Sequence, residues 1–167
     1  MKHITHFISV LFLLLFSIYA IAQDSNQQKQ SKSEKIKEIV NAHDFIFTAT
    51  TVLPMSGKTR ILTSAYDLQI SKDSIISYLP YFGRAYSAPI DPSKGGIKFT
   101  STQFEYKEEN KKDGWDVFIK PRDVIEVQQL HLHISSEGYA TLQVISTQRQ
   151  PISFYGEVTE RKIKKAF

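Results

Sequence analysis

Hydrophobic and polar residues alternate with a period of two along most of the chain. Successive side chains of a β-strand point to opposite faces, so this alternation is typical of a strand with one buried and one solvated face. Turns rich in Gly, Pro, Asp and Ser interrupt it. The pattern predicts about eight short strands, which cover Phe45–Leu53, Leu62–Ile70, Ile75–Leu79, Ile97–Lys107, Trp115–Lys120, Val124–Ile134, Tyr139–Thr147 and Ile152–Thr159.

A helical period precedes the strands. Ile36, Ile39, Val40 and His43 recur at helical spacing, and Ser33 is suited to cap the N-terminus of that helix. The loops between the predicted strands are too short for the crossovers that parallel neighbours need. We therefore expect a mainly β fold: a single antiparallel barrel-like (lipocalin-like) or strongly curled sheet of about eight strands with one N-terminal helix.

The first residues have the features of a secretory signal peptide. Lys2 gives a positive start, Phe7–Ile21 is almost entirely apolar, and Ala20-Ile21-Ala22 is a small-x-small cleavage site. We expect cleavage before Gln23 and export to the periplasm, without a transmembrane segment in the mature chain; an uncleaved membrane anchor is the competing interpretation. The predicted order is a signal peptide at 1–22, a disordered leader at 23–32, a single β-rich domain with its helix at 33–160 and a basic tail at 161–167.

Composition narrows the possible chemistry. The chain has no cysteine, which excludes disulfides, thiolate catalysis and the lipid anchor of an exported lipoprotein. Its 21 Lys and Arg against 17 Asp and Glu give a formal net charge of +4, and the excess lies mainly in the C-terminal tail. Because no basic stripe runs through the folded part, nucleic acid is not an expected partner.

Several local sequences together carry a family resemblance. The most specific is Tyr78-Leu79-Pro80-Tyr81-Phe82-Gly83-Arg84-Ala85-Tyr86, and the others are Tyr66-Asp67-Leu68, Gly96-Ile97-Lys98-Phe99, Gly114-Trp115, Gly138-Tyr139-Ala140 and Arg149-Gln150-Pro151-Ile152-Ser153-Phe154-Tyr155-Gly156. Through these sequences the chain resembles the exported bacterial proteins of domain-of-unknown-function family 4251. The resemblance implies export from a Gram-negative cell and a β-rich fold. It implies no reaction, because the family has none assigned.

The most specific of these sequences concentrates aromatic residues and an arginine at the end of a predicted strand. Tyr and Phe offer large apolar surfaces, and Arg offers a planar fork for a carboxylate or phosphate. At a barrel mouth they would line an aromatic pocket or cleft. The alternative is a structural plug, in which the rings fill one end of the core and the arginine bonds loop carbonyls or a carboxylate. The predicted ligand-binding residues are Tyr78, Tyr81, Phe82, Arg84, Tyr86, Trp115, Arg149 and Tyr155.

Two further patterns have simpler interpretations. His131 and His133 stand two residues apart on a predicted strand, a spacing used by metal sites on sheets, but the alternate residues beside them are apolar. We therefore place both histidines on a solvated strand face and predict no metal site. Ser56-Gly57-Lys58-Thr59 ends like a phosphate-binding loop but lacks its leading glycine and its following helix, so we expect a hairpin turn.

Catalytic signatures do not stand out. The sequence has no Gly-x-Ser-x-Gly elbow and no Cys-His pair. We expect a non-catalytic exported protein, without a cofactor, that binds a small apolar or amphipathic ligand or an envelope component. The alternative is a protein–protein interaction module of the cell envelope without a ligand cavity, which an exposed aromatic patch would favour. An enzyme, the third hypothesis, would need titratable groups converging in a pocket.

Overall fold

The computed structural model describes residues 30–86 and 95–161. Within them, a helix, α1, spans residues 30–41 and is followed by nine strands, each antiparallel to its neighbours. The predicted mainly β antiparallel fold with one N-terminal helix is confirmed. The strands are β1 (Phe45–Pro54), β2 (Arg60–Ile70), β3 (Ile75–Leu79), β4 (Ile97–Ser101), β5 (Phe104–Lys111), β6 (Gly114–Pro121), β7 (Val127–Ser135), β8 (Tyr139–Ser146) and β9 (Ile152–Glu160).

The strands form a nearly closed barrel in which the first and last strands pair. Their order in the sheet is β4-β3-β2-β1-β9-β8-β7-β6-β5. The β1–β9 ladder runs from Phe45 opposite Glu160 to Pro54 opposite Ile152, which is the whole length of both strands. Since this pairing removes two free edges, β4 and β5 are the edge strands of the described sheet.

The barrel remains open along a seam, where one long strand changes partners. β4 and β5 are separated only by Thr102 and Gln103, and they run in the same direction because they stand first and ninth in an all-antiparallel row. β4 pairs with β3, whereas β5 pairs with β6. The single strand expected over Ile97–Lys107 is therefore interrupted after Ser101, where the change of partner bends it, and it continues to Lys111.

The carboxylate of Asp123 holds this break in place. It accepts hydrogen bonds from the Ser101 hydroxyl at 2.5 Å and from the backbone N–H groups of Thr102 at 2.8 Å and Gln103 at 3.2 Å. It therefore satisfies backbone donors that have no strand partner. The bond from Ser101 and then the backbone N–H groups lower the pKa of Asp123 to about 2. The Arg122 N–H continues the β5–β6 ladder by donating to the Gln103 carbonyl at 2.7 Å.

The C-terminal end of α1 packs against β5. The ring centroids of His43 and Tyr106 are 3.8 Å apart, and the Tyr106 hydroxyl donates to the Val40 carbonyl at 3.5 Å. Burial, the main cause, raises the pKa of Tyr106 well above its usual value. The helix thus covers a part of β5 on the seam, where an exposed strand edge would otherwise invite pairing with another chain.

α1 ends in a Schellman motif that also anchors the last strand. His43 has a left-handed backbone with a φ of 52° and donates its N–H to the Val40 carbonyl at 3.0 Å. The Asp44 N–H donates to the Ile39 carbonyl at 3.1 Å, which completes the motif. Arg161, directly after β9, donates from Nε to the Asp44 carboxylate at 2.6 Å. Arg161, expected in a basic tail, is thus bound to the fold.

The N-terminal boundary of the helix differs from the predicted one. Residues 30–32, expected in the disordered leader, are already helical, so Ser33 lies inside α1 and does not cap it. The helix packs on the barrel through its buried Ile36, Ile39 and Val40. The polar residues at its N-terminus can extend it because a surface helix needs only one buried face. The predicted signal peptide at 1–22 and the tail residues 162–167 lie outside the described residues.

Inward-facing side chains fill the interior of the barrel. Close packing of large apolar residues supplies most of the stability of such a fold, which has no disulfide. A small cavity beside Arg149, of about 20 Å³, has room for about one water molecule. The largest fully buried side chains are Phe45, Phe47, Phe154, Leu68, Ile70, Ile75, Leu79, Ile119, Leu130, Leu132, Ile134 and Leu142.

We expect Asp123→Asn to lower the urea midpoint at neutral pH. The amide oxygen of Asn is a weaker acceptor than a carboxylate, and the amide NH₂ group would face the donors of Ser101, Thr102 and Gln103. The folded-state pKa of about 2 lies below the ordinary value of 3.8. The contribution of the carboxylate is therefore complete above the ordinary value and is lost as the pH falls toward the folded-state value. Urea midpoints at neutral pH and through this acid range measure the loss.

Asp113→Asn is the matched control, because Asp113 lies exposed in the turn between β5 and β6. It should leave the midpoint unchanged throughout. A neutral-pH midpoint of Asp123→Asn equal to that of the unchanged protein would contradict the role of Asp123 at the seam.

Candidate functional site

The segment after β3 crosses to the connection between β8 and β9 and pairs with it. Residues 84–86 run antiparallel to residues 148–150, with an isolated bridge between Ala85 and Arg149. The backbone N–H groups of residues 86 and 150 donate to the carbonyls of residues 148 and 84, at 2.8 and 3.0 Å. The backbone of this aromatic segment is therefore fixed as a short extra pairing at one end of the barrel.

The side chains of Tyr81 and Arg149 anchor the segment after β3 to neighbouring backbone. The Tyr81 hydroxyl lies 2.7 Å from the Arg84 carbonyl and 3.1 Å from the Gln150 carbonyl, and its single proton is shared between these two acceptors. The Arg149 guanidinium lies 5.1 Å from the centre of the Tyr81 ring and donates from one nitrogen to the carbonyls of Gly95 and Gly96, both at 3.0 Å. Burial raises the pKa of Tyr81, although Arg149 opposes the shift. The plug interpretation assigned the carbonyl contacts to the arginine of the segment, Arg84, whereas in the structure Arg149 makes them and Arg84 is exposed.

Tyr78 and Phe82 of the segment face outward and form a surface together with residues of β2 and β4. We call Arg60, the half-buried Tyr66, Tyr78, Phe82 and Lys98 the Tyr78 surface. The rings of Tyr66 and Tyr78 stack with centroids 5.7 Å apart, and Lys98 Nζ lies 4.7 Å from the Tyr78 centroid. The Arg60 guanidinium lies 4.8 Å from the centre of the Phe82 ring. Tyr78 is 46% exposed and Phe82 38%, so this surface offers aromatic rings with cations already placed over them.

Trp115 and Tyr155 lie apart from the Tyr78 surface. Trp115 is buried in the core near the start of β6, opposite Asn110 and Ile134. Tyr155 points outward from β9, which shares no ladder with β2, β3 or β4. The eight predicted site residues therefore do not surround one cavity. Six lie in the segment and its anchor: Tyr78, Tyr81, Phe82, Arg84, Tyr86 and Arg149. That they bind a ligand remains a prediction.

A groove under α1, not expected from the sequence, is the largest depression that we describe. It has a volume of about 570 Å³ and runs between the helix and the outer faces of β1, β2 and β9. Ile36, Ile39 and Ile46 give it apolar walls, and Lys32 and Lys35 stand among its lining residues. The available signal was Ile46, an apolar residue at an outward position of β1 between the buried Phe45 and Phe47.

His131 and His133 face outward from β7, as predicted, and share Asp116. His133 Nδ1 lies 2.8 Å and His131 Nε2 3.5 Å from Asp116 Oδ1. Lys111 Nζ lies 3.5 Å from the other carboxylate oxygen, and Phe118 stacks on His131 at 4.4 Å. Partial burial raises the pKa of Asp116, but the hydrogen bond from His133 and the two histidine charges outweigh it and lower the pKa. In the part of the chain that the structure describes, no three metal-binding side chains are arranged to hold an ion.

Comparison with protein families identifies the chain. A model of a family described as Domain of unknown function (DUF4251) matches residues 27–158. The chain belongs to the DUF4251 family. The crystal structure of a DUF4251 family protein from Bacteroides eggerthii DSM 20697 has the same fold, with a TM-score of 0.57 and 13% identity over 78% of this chain and 88% of that one. The predicted family resemblance is confirmed.

Two further findings complete the comparison. A search of curated proteins finds no match. Along residues 30–86 and 95–161, none of the helical structure has the length and apolarity that a membrane-crossing helix requires. Family membership therefore supports the fold of this chain but assigns no activity to it. The function has to be argued from the surface of the DUF4251 barrel.

We expect Tyr81→Phe to lower the free energy of unfolding by about 1 kcal/mol, because it removes a hydroxyl that joins two chain segments and keeps the ring. Urea denaturation measures the change. Tyr78→Phe removes a hydroxyl from an exposed ring and should change stability by less than about 0.5 kcal/mol. Equal stability of the two variants would contradict the anchoring role of Tyr81.

Proposed function

We propose that this DUF4251 protein is a non-catalytic interaction module of the bacterial cell envelope, which binds a partner protein on the Tyr78 surface. The observation that carries the proposal is the exposed Tyr78 ring, stacked on the half-buried Tyr66 and with Lys98 over it, beside the Arg60–Phe82 pair. The predicted signal peptide supports placement in the envelope.

Exposed rings of this kind favour protein binding. Residues that dominate binding energy in interfaces are enriched in Tyr, Trp and Arg, because rigid rings bury a large area at a low entropy cost. The Tyr78 ring stacks on Tyr66 and has Lys98 Nζ over it, so its position is restricted before a partner arrives. Tyr86, 70% exposed, extends the aromatic surface beyond the sheet.

The positive charges on and beside the Tyr78 surface indicate which side chains a partner protein would place against it. Arg60 and Lys98 place positive groups over the rings, and Arg84 is exposed in the same segment. A matching partner surface would carry carboxylates together with apolar side chains, because complementary charges speed encounter and guanidinium groups pair well with carboxylates. We therefore propose an acidic and apolar patch on an envelope protein as the binding counterpart.

The shifted ionisations support a non-catalytic role. Tyr106 and Asp123 are engaged in packing α1 and in holding the seam. Glu109 pairs with Lys107 and Lys111 on the same strand, and its hydrogen bonds with them lower its pKa to about 2. These groups are spread over the barrel, and Tyr81, whose pKa is shifted within the segment itself, is bonded to backbone carbonyls, whereas an active site gathers perturbed groups in one cleft.

Site-directed photo-crosslinking in the cells that make the protein tests this proposal. With p-benzoylphenylalanine in place of Tyr78, we expect one discrete protein adduct. The double variant Arg60→Ala, Lys98→Ala should reduce its yield several-fold, because it removes the cations over the rings. Placing the crosslinker at Ile125, which is 86% exposed in another loop, is the control. Failure to form a protein adduct at Tyr78, or the same adducts from both positions, would contradict the proposal.

The groove under α1 favours a second candidate function, binding of a small amphipathic ligand. Its volume of about 570 Å³ lies in the range of small-molecule sites. Apolar side chains on the helix and on β1 suit an acyl chain, and Lys32 and Lys35 suit an anionic head group. This candidate keeps the predicted ligand class but moves the site from the aromatic segment to the helix.

Titration with dodecanoate followed by native mass spectrometry tests the second candidate. Ile46→Ser should weaken dodecanoate binding about tenfold, because it removes a buried apolar contact from the groove wall. Ile76→Ser, at an outward position of β3, is the matched control and should not change binding. Dodecanoate binding that is equal in both variants, or absent, would exclude the groove as an acyl-chain site.

A further inference from the structure

A second tyrosine-lined depression lies on strands that contribute nothing to the Tyr78 surface. On the outer faces of β7, β8 and β9, His133 stands opposite Thr141, and Thr141 stands opposite Tyr155. In the neighbouring row, Tyr139 stands opposite Glu157. The small, half-buried Thr141 thus forms a floor between larger side chains, and the depression has a volume of about 410 Å³. We call it the β7–β9 groove.

The walls of this groove are two exposed aromatic rings. Tyr139 is 56% and Tyr155 49% exposed. They are diagonal neighbours on adjacent strands, which places their Cβ atoms roughly 7 Å apart. Lys32 Nζ lies 5.5 Å from the Tyr139 centroid, on the side toward α1. The rings are therefore placed to contact one ring-sized ligand together, and their hydroxyl groups remain available as polar handles.

One buried polar atom at the groove lacks a hydrogen-bond partner among the described residues. The Ser135 hydroxyl, which lines the groove, is buried and makes no hydrogen bond. His133 uses Nδ1 to contact Asp116 at 2.8 Å, which fixes its ring and leaves Nε2 for another group. Because buried polar groups in proteins are nearly always hydrogen-bonded, the unpaired Ser135 hydroxyl indicates that a polar molecule completes this site.

We propose that the β7–β9 groove binds a neutral saccharide. A sugar ring has an apolar C–H face that packs on aromatic rings, and a rim of hydroxyl groups that pair with the Ser135 hydroxyl, His133 Nε2 and the Glu157 carboxylate. The carboxylates of Glu157 and Asp116 outnumber the Lys32 ammonium over the Tyr139 ring and disfavour an anionic ligand. The hydroxyl and imidazole partners suit a ligand with many hydroxyl groups better than a quaternary ammonium, which would need only the rings.

This site is independent of the proposed protein partner. The groove is formed by β7, β8 and β9 with Thr50 of β1, whereas the Tyr78 surface is formed by β2, β3, β4 and the segment after β3. A sugar-binding envelope protein would hold glycan on one side and its partner on the other. Failure of the crosslinking experiment at Tyr78 would therefore leave the saccharide proposal intact, and the reverse also holds.

Isothermal titration of the protein purified from its own cells tests the proposal, with cellotetraose, chitotetraose and maltotetraose as probes. We expect at least one of them to bind with a Kd of about 1 mM or tighter. Tyr155→Ala and Tyr139→Ala should each weaken that binding about tenfold, because each removes one aromatic wall. Tyr155→Phe keeps the ring and should stay within about threefold of the unchanged protein.

The controls separate binding from folding. Ser135→Ala should weaken binding several-fold without lowering the melting temperature, since the hydroxyl has no partner to lose in the free protein. Ile125→Ala, at an exposed loop position outside both surfaces, should leave saccharide binding unchanged. The proposal is overturned if none of the three tetrasaccharides binds at concentrations up to about 10 mM, or if Tyr139→Ala and Tyr155→Ala leave the affinity unaltered. Binding of tetramethylammonium in the groove without saccharide binding would also overturn it.

Discussion

The pairing of the first strand with the last is the constraint on which this barrel depends. β1 and β9 are joined along their whole length, and the ladder bends at a bulge between Ala49 and Thr51. Gly156 lies opposite Ala49, and a Cβ atom there would come within 2.0 Å of the Thr48 carbonyl oxygen and against the Phe47 ring. Only a glycine permits the two strands to approach so closely at the bend. Without this contact, the sheet would have two more exposed edges to protect.

Closure through β1 and β9 leaves one seam, and short-range contacts seal it. The long strand that contains β4 and β5 changes partners at residues 102–103, where Asp123 replaces the missing strand as hydrogen-bond acceptor. α1 packs on β5 through His43 and Tyr106. Tyr81 and Arg149 fix the segment that passes over one end of the barrel. Because the interior is filled by apolar side chains, the described residues offer recognition surfaces on the outside of the barrel.

Two exposed tyrosine clusters on different strands have different electrostatic settings. At Tyr78, the neighbouring charges are Lys98 and, beside Phe82, Arg60. At Tyr139 and Tyr155, Lys32 lies over one ring, but the lining residues also include Glu157 and His133, with Asp116 behind the histidine. The same residue type therefore favours different ligands in the two places: a partner with carboxylates at the first and a neutral, hydroxyl-rich molecule at the second. Local charge, more than the rings themselves, distinguishes the two proposals.

The sequence by itself determined the fold class of this protein. Strand alternation is a local property, because each side chain points in or out according to its own position, so the β-rich antiparallel sheet and the outward-facing His131 and His133 followed from the pattern. Helical spacing likewise located the buried face of α1. The family resemblance rested on short sequences, which can be recognised without knowing what their residues contact.

Only the tertiary structure decided which residues meet. The segment from Tyr78 to Tyr86 separates into an anchor, Tyr81, and exposed rings, because its backbone pairs with residues 148–150, which are distant in sequence. Trp115 and Tyr155 share the aromatic character of that segment but lie elsewhere, since strand order and register place them in the core and on another face. The grooves depend on the curl of the sheet and on the position of α1. These are long-range relations between strands, and no local pattern of residues encodes them.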